Sequence, residues 1–246
     1  MSRRPRRVIA GIWYHVMNRA AGRVLLFDHP SDYAAFIDVL KEAHERVPIH
    51  LVAYCVMPNH WHLILRPKHD VGLSQFMHWL TVTHAQRWHG FHRTSGRGAL
   101  YQGRFKAVPI QSDLHLLHAC RYVERNALRV GLVARAEDWA WSSLWHRHRN
   151  CVDTILDPWP FPTPSDWTQS VNAYESEAEL EALRRAIRRG APVGDAAWRD
   201  RMAHELGLEH ALRPRGRPTS ARAASEKTPD PFNRTRRGEC RVPAPR

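Results

Sequence analysis

Met57-Pro58-Asn59-His60-Trp61-His62-Leu63-Ile64-Leu65-Arg66 is the stretch from which the fold can be read. In an extended chain successive side chains point to opposite faces. Trp61, Leu63 and Leu65 therefore face one way, into a core, while His60 and His62 emerge side by side on the other. Ile49 to Met57, just before, is a second apolar run with strand character, and Pro58-Asn59 is a tight-turn signal that makes the pair a hairpin. Two imidazoles on one rigid strand form half of a divalent-metal site. The chain has seventeen histidines, so such a pair also arises as an ordinary surface feature.

Outward from the hairpin, Ile12 to Asn18 alternates like a strand. Pro30 and Ser31 open a helix that carries Tyr33, Phe36, Ile37, Leu40, Ala43, His44 and Val47 at helical spacing, and Pro48 stops it. Leu73 to Trp88 is a second helix, with Leu73, Phe76, Met77, Leu80 and His84 on one face. A Gly- and Arg-rich loop, Gly90 to Gly103, precedes a strand over Phe105 to Ile110. Strand, helix, strand, strand, helix, strand is the split βαβ, ferredoxin-like order. The predicted class is thus α+β, with an antiparallel sheet and these helices on one face.

Ser112 is an N-cap candidate for a third helix, Asp113 to Asn126. There Leu116, Cys120, Val123 and Ala127 form an apolar face. His118, Tyr122 and Asn126 recur every four residues on another. A tyrosine and an amide stacked in this way can meet one substrate from one side; equally, the tyrosine can be half buried in an ordinary amphipathic helix. Asp138 to His148, rich in Trp, suggests a short closing helix. Residues 1–150 therefore read as one domain. Residues 151–172, with Pro158, Pro160, Pro162 and Pro164, read as a linker. Residues 173–212 read as a helical extension over Glu175 to Arg189 and Ala196 to Leu206, and residues 213–246 as a disordered basic tail.

The net charge is +13 over 246 residues, and the last 34 residues hold ten Lys/Arg against three Asp/Glu. Such a balance attracts polyanions, nucleic acid first. In the tail, Arg213-Pro214-Arg215-Gly216-Arg217-Pro218 has a short Arg-Gly-Arg-Pro core of the kind that enters a narrow minor groove, although non-specific phosphate binding is the reading favoured for it. No apolar run is long enough to suggest a membrane span. Cys55, Cys120, Cys151 and Cys240 make no CxxC pair, so no disulfide-linked partner is expected and a reducing cytoplasm fits.

Taken together, several stretches resemble the REP-associated tyrosine transposases, a branch of the single-tyrosine HUH (His, bulky apolar, His) transposases with an IS200-like domain. These are Tyr14-His15-Val16-Met17-Asn18-Arg19, Met57 through Leu63, Tyr101-Gln102-Gly103-Arg104-Phe105, Tyr122 through Val133, and Trp141-Ser142-Ser143, and the resemblance covers about residues 8 to 150. It implies that His60 and His62 are metal ligands, that Tyr122 is the nucleophile, and that Asn126 completes the metal shell. It further implies a 5′-phosphotyrosine, a free 3′-hydroxyl, and Mg²⁺ as the cofactor, with Mn²⁺ as the alternative. The implied partner is single-stranded DNA or a DNA hairpin at repeat elements, in a cytoplasmic, nucleoid-associated protein. Monomer and homodimer stay open. Where the family has Asn-Pro-Val-Arg-Ala-Gly, this chain has Asn126-Ala127-Leu128-Arg129-Val130-Gly131. Without the proline the helix is expected to run on by a turn.

A phenol has a pKa of about 10, so roughly one in a thousand is ionised at neutral pH and the attack needs help. Arg121 and Arg125 are expected near the tyrosine, as aids to ionisation or as phosphate holders. Arg19, Arg93, Arg97, Arg104 and Lys106 are expected to contact DNA. Ligand histidines must be neutral, so activity is expected to fall below about pH 6.5. A DNA-binding protein that no longer cuts is the second reading; it would more naturally lack a histidine or the tyrosine. An RNA-binding module of the same fold would want exposed aromatics on the central strands, which Phe105 to Ile110 does not supply.

Overall fold

A computed structural model describes residues 6–112, 114–151, 155–162 and 164–213. In order come β1 (Trp13–Arg19), α1 (Pro30–Arg46), β2 (Ile49–Met57), β3 (His60–Pro67), α2 (Gly72–Phe91) and β4 (Lys106–Ile110). The strands form one antiparallel sheet in the order β2-β3-β1-β4, with β3 central. This is the ferredoxin-like arrangement expected from the element order. Met57 pairs with His60 across the Pro58-Asn59 turn. At the start of α1, the Asp32 carboxylate accepts the backbone N–H groups of Asp28 and His29, both at 3.0 Å, and so closes off the helix entrance.

Both faces of the sheet are buried. On one, Tyr14, Val16, Trp61, Leu63 and Leu65 pack with Phe36 and Leu40 of α1 and with Leu73, Phe76 and Leu80 of α2. On the other, Trp13, Cys55, Met57, Ile64 and Ile110 meet α3 (Leu114–Glu124) through Leu116, Cys120 and Val123. Completely buried side chains of this kind contribute roughly 1.5–3 kcal/mol each. The third helix thus covers the face opposite α1 and α2, and it is the face from which His60 and His62 project. The expected cap at Ser112 adjoins residue 113, which lies outside the described residues.

The helix does run on. Arg125 N–H donates to Arg121 O at 2.9 Å, and Arg129 N–H to Arg125 O at 2.8 Å, linking α3 to a short α4 (Asn126–Arg129). Gly131 then stops it. At a φ of 75° it adopts a conformation that L side chains rarely take. Its N–H bonds Leu128 O, and Leu132 N–H bonds Ala127 O, which is a Schellman closure.

Four-proline spacing in 151–172 suggests a solvated linker; the described parts are instead a packed strap. Asp157 exchanges two 2.8 Å hydrogen bonds with the backbone of Leu51 on the sheet edge. After α5 (Ser143–His148), the helix α6 (Trp167–Asn172) buries Trp167 and Val171. The apolar surface of Trp159, Phe161 and Trp167 overrides the proline signal, because a spacer would leave it in water. The extension, α7 (Glu177–Arg189), α8 (Ala196–Leu206) and α9 (Glu209–Leu212), follows the expected bounds closely. It is docked and not separate: Val193 bonds Pro109 O and Gln111 N–H on the free side of β4. The described chain up to Arg213 is one compact unit. The expected basic tail beyond Arg213 lies outside the described residues.

No helix among the described residues is long and apolar enough to cross a membrane. Cys55, Cys120 and Cys151 are free thiols.

Candidate active site

His60 and His62 stand at the start of β3 with ring centroids 4.9 Å apart, at right angles to one another. Tyr122 comes down from α3 onto the same spot. Its ring lies 6.0 Å from that of His62 and 6.0 Å from that of His15 on β1, edge-on to both. A cleft of about 590 Å³ opens here, lined by His60, His62, Tyr122 and Asn126. Arg19, Arg104 and Lys106 form its wall on the β1–β4 side, and Arg184, Ile187 and Arg188 of α7 its wall opposite. A larger groove of about 900 Å³, between α2 and the Gly90–Gly103 loop, shares Asn18, Gly103 and Arg104 with this cleft. Asn18 Nδ2 holds the loop to β1 through Gly103 O at 3.2 Å.

The electrostatics keep the imidazoles neutral. Burial, then the nearby Arg19 cation, lowers His60 to about 4. Burial, then the neighbouring imidazole of His60, lowers His15 to about 3. His62 is held well below its ordinary value, again chiefly by burial. The sequence-based expectation of protonation near 6.5 thus moves lower, because a free imidazole is fully hydrated and these are not. Nδ1 of His60 is taken by Asn59 Oδ1 at 2.7 Å, and Nδ1 of His62 by His15 Nε2 at 2.8 Å. Nε2 of each is the nitrogen left for a ligand. Neutral imidazoles with a free nitrogen suit a divalent ion.

Asn126 is more constrained. Its Oδ1 accepts Arg129 Nη1 at 3.0 Å, and its Nδ2 is buried with no protein partner among the described residues. One lone pair on Oδ1 stays available. Arg129 itself reaches Tyr122 O at 3.1 Å and Glu175 Oε2 at 2.9 Å. Its charge is therefore balanced by a carboxylate.

The remaining expected residues divide. Arg19, Arg104 and Lys106 line the cleft; Arg93 and Arg97 are exposed on the loop but do not line it. Arg121 and Arg125, expected near the tyrosine to aid ionisation or hold phosphate, have partners within the protein. Arg121 donates to Ala173 O at 2.7 Å and Tyr174 O at 3.0 Å. Arg125 donates to Val171 O at 2.7 Å and lies 3.3 Å from Glu175. Both fasten the extension to α3, since the extension, read as separate, lies directly on that helix. His118 shares the Tyr122 helix face but opens onto another pocket, with Arg121 and Leu183.

Sequence reading passes over His15, Asn59, Arg129, Arg184 and Arg188. His15 and Asn59 lie inside the family-like stretches, and a polar residue between Trp13 and Met17 on one strand face is the available signal. Arg129 follows Asn126 by three and Tyr122 by seven, both helical spacings. Nothing local marks Arg184 and Arg188, which reach the cleft through the tertiary fold alone.

Residues 8–126 match the model of the transposase IS200-like family. A Haemophilus influenzae protein assigned to the REP-associated tyrosine transposases is 26% identical over 140 residues, which span 54% of this chain and 74% of that protein. The solved structure of a REP-associated tyrosine transposase bound to a REP hairpin is 21% identical, covers 72% of this chain and 96% of that one, and superposes with a TM-score of 0.49. A transposase-type protein of Deinococcus radiodurans is 19% identical, over 47% of this chain and 89% of its own, with a TM-score of 0.37.

Proposed function

We propose that this chain, whose residues 8–126 match the model of the transposase IS200-like family, cleaves and rejoins single-stranded DNA through Tyr122. The observation that carries the reading is the approach of the Tyr122 ring to His62, 6.0 Å apart, in a cleft also lined by His60 and Asn126. Tyr101 is the alternative phenol. It is buried and hydrogen-bonded to Trp61 and His84, and burial pushes its ionisation up, so it does not serve as an attacker.

In the proposed reaction the Tyr122 oxygen attacks the scissile phosphorus and its proton passes to solvent. The bond from phosphorus to the 3′-oxygen breaks, and that oxygen takes a proton. The products are a 5′-phosphotyrosine and a free 3′-hydroxyl. Attack by a 3′-hydroxyl on the phosphotyrosine runs the step backward and rejoins DNA. One phosphodiester is exchanged for another, so no nucleotide is consumed. His60 and His62, through Nε2, and Asn126, through Oδ1, would hold Mg²⁺ or Mn²⁺. When bound, such an ion polarises the phosphate and offsets charge in the transition state. Arg19, Arg104 and Lys106 hold the DNA backbone along the cleft wall, and the adjoining groove gives the strand a path away from it. The substrate proposed is a hairpin-forming repeat, the class of DNA to which the REP-associated relative is bound.

The test is to mix the full chain with single-stranded hairpin DNA and Mg²⁺ and to look for an adduct that survives denaturant. The modified peptide is expected to contain Tyr122. Tyr122→Phe is expected to bind the same DNA and form no adduct. Binding without an adduct in the parent would favour the second reading, a DNA-binding protein that does not cut.

A further inference from the structure

His15 lies on β1 and shares a sheet face with His60 and His62. It is 2% exposed. Its Nε2 is 2.8 Å from His62 Nδ1, with the two rings within 10° of parallel. Its other nitrogen, Nδ1, is buried and has no partner among the described residues. The hydrogen bond to His62 is thus the polar contact His15 makes. A position between Trp13 and Met17, meant only to fill the core, would be better served by an apolar ring, since an unpartnered buried nitrogen is costly.

A hydrogen bond between two neutral imidazoles has two arrangements. In the first, His62 Nδ1–H donates to His15 Nε2, and His62 Nε2 keeps its lone pair. In the second, His15 Nε2–H donates, and His62 carries its proton on Nε2, where it cannot bind a cation. His60 has no such ambiguity. Asn59 Oδ1, 2.7 Å from its Nδ1, can only accept, so Nδ1 carries the proton. The His15 Nε2 is turned to the back of His62 and away from the cleft, which it does not line, so His15 is not a third ligand.

We propose that His15 is a positioning residue for the metal centre. It accepts Nδ1–H from His62 and holds that ring with its Nε2 lone pair toward the ion shared with His60. Partners of this type fix the orientation and tautomer of ligand histidines. The proposal rests on the metal reading given above.

The test measures Mn²⁺ affinity of the full chain, without DNA, from the paramagnetic resonance of free Mn²⁺. His15→Phe keeps a ring in the same space but cannot accept, and is expected to weaken binding about 10- to 100-fold. His15→Gln, whose side-chain oxygen can accept the same bond, is expected to recover most of that loss. Parent-like Mn²⁺ affinity in His15→Phe, with clear loss in His62→Ala, overturns this inference alone. Parent-like affinity in His62→Ala overturns the metal reading and this inference with it. If His15→Phe does not fold, ¹⁵N spectra of the Mg²⁺-loaded parent decide. A proton on His62 Nδ1, coupled through the hydrogen bond to His15 Nε2, is expected; a proton on His15 Nε2 overturns the proposal.

Discussion

The guanidinium carbon of Arg129 lies 4.4 Å from the centre of the Tyr122 ring. The same group bonds Asn126 Oδ1 and Tyr122 O, and Glu175 balances it from behind. One side chain thus sets the tyrosine and the amide in fixed relation. A cation over an aromatic face is attracted to it, and the attraction grows as the ring takes on negative charge during attack.

Arg129→Met keeps the aliphatic stem and removes the charge and the fork. In single-turnover assays with hairpin DNA, adduct formation is expected to slow about a hundredfold, the scale for losing one preorganised charge-stabilising group. DNA affinity should change little. Arg129→Lys keeps a charge but not the planar fork and should fall between the two. An unchanged rate in Arg129→Met would mean that the contact is packing only.

Glu124 is completely buried, two residues beyond Tyr122. It accepts Ser143 Oγ at 2.5 Å, Arg147 Nη1 at 2.8 Å and Trp167 Nε1 at 2.6 Å, and so ties α3 to α5 and α6. Glu124→Ala leaves Arg147 without its carboxylate in a half-dry site. Urea unfolding should show a loss of about 3–5 kcal/mol, as when one partner of a buried ion pair is removed. A loss under about 1 kcal/mol, the range of an exposed pair, would show that water or rearrangement replaces the carboxylate.

The alternation of β3 and the helical spacing of α1 are legible in the sequence because burial follows strand and helix period directly. The HUH pair and Tyr122 are legible because each lies inside a short motif. The strap over residues 151–172 is not, because its prolines signal a linker while the tryptophans between them bury against the fold. The carbonyl partners of Arg121 and Arg125 are hidden for a related reason. A guanidinium looks the same in sequence whether it meets phosphate or a carbonyl, and only the docked extension tells which. His15 is hidden because its role depends on β1 lying beside β3 with Met17 opposite His62, a register that no local pattern states.

Acid should destabilise the fold early. His84 is buried, and its Nδ1 is hydrogen-bonded to the Tyr101 hydroxyl at 2.7 Å. Burial lowers it to about 3, with Asp32 opposing the shift and His92 adding to it. A lowered folded-state value means that the unfolded chain takes the proton first, near 6.5. Stability is therefore full above about pH 6.5 and is lost as the pH falls toward 3. In urea titrations the parent midpoint should drop steadily over that window, with His15 and His60 adding to the fall. His84→Asn, which can still hydrogen-bond Tyr101 but does not titrate, should show a shallower drop. Equal slopes would remove His84 from the account.

The two arginine pairs on either side of Tyr122 should separate by their response to salt. Arg184 and Arg188 line the cleft. Their present partners are weak ones: Arg184 lies 3.5 Å from a largely exposed Glu177, and Arg188 pairs with Glu181 on the surface. Phosphate can displace such partners at little cost. Arg121 and Arg125, by contrast, hold the carbonyls of Val171, Ala173 and Tyr174, and releasing them would detach the extension. Replacing Arg184 and Arg188 together with Gln should weaken single-stranded DNA binding, and should reduce the slope of log affinity against log salt by about 0.7 for each phosphate no longer neutralised. Replacing Arg121 and Arg125 with Gln should leave that slope in place and lower the urea midpoint instead. The opposite pattern, a flattened slope from Arg121 and Arg125 with no effect from Arg184 and Arg188, would put the DNA backbone on the other side of α3 and would require a different path for the strand past Tyr122.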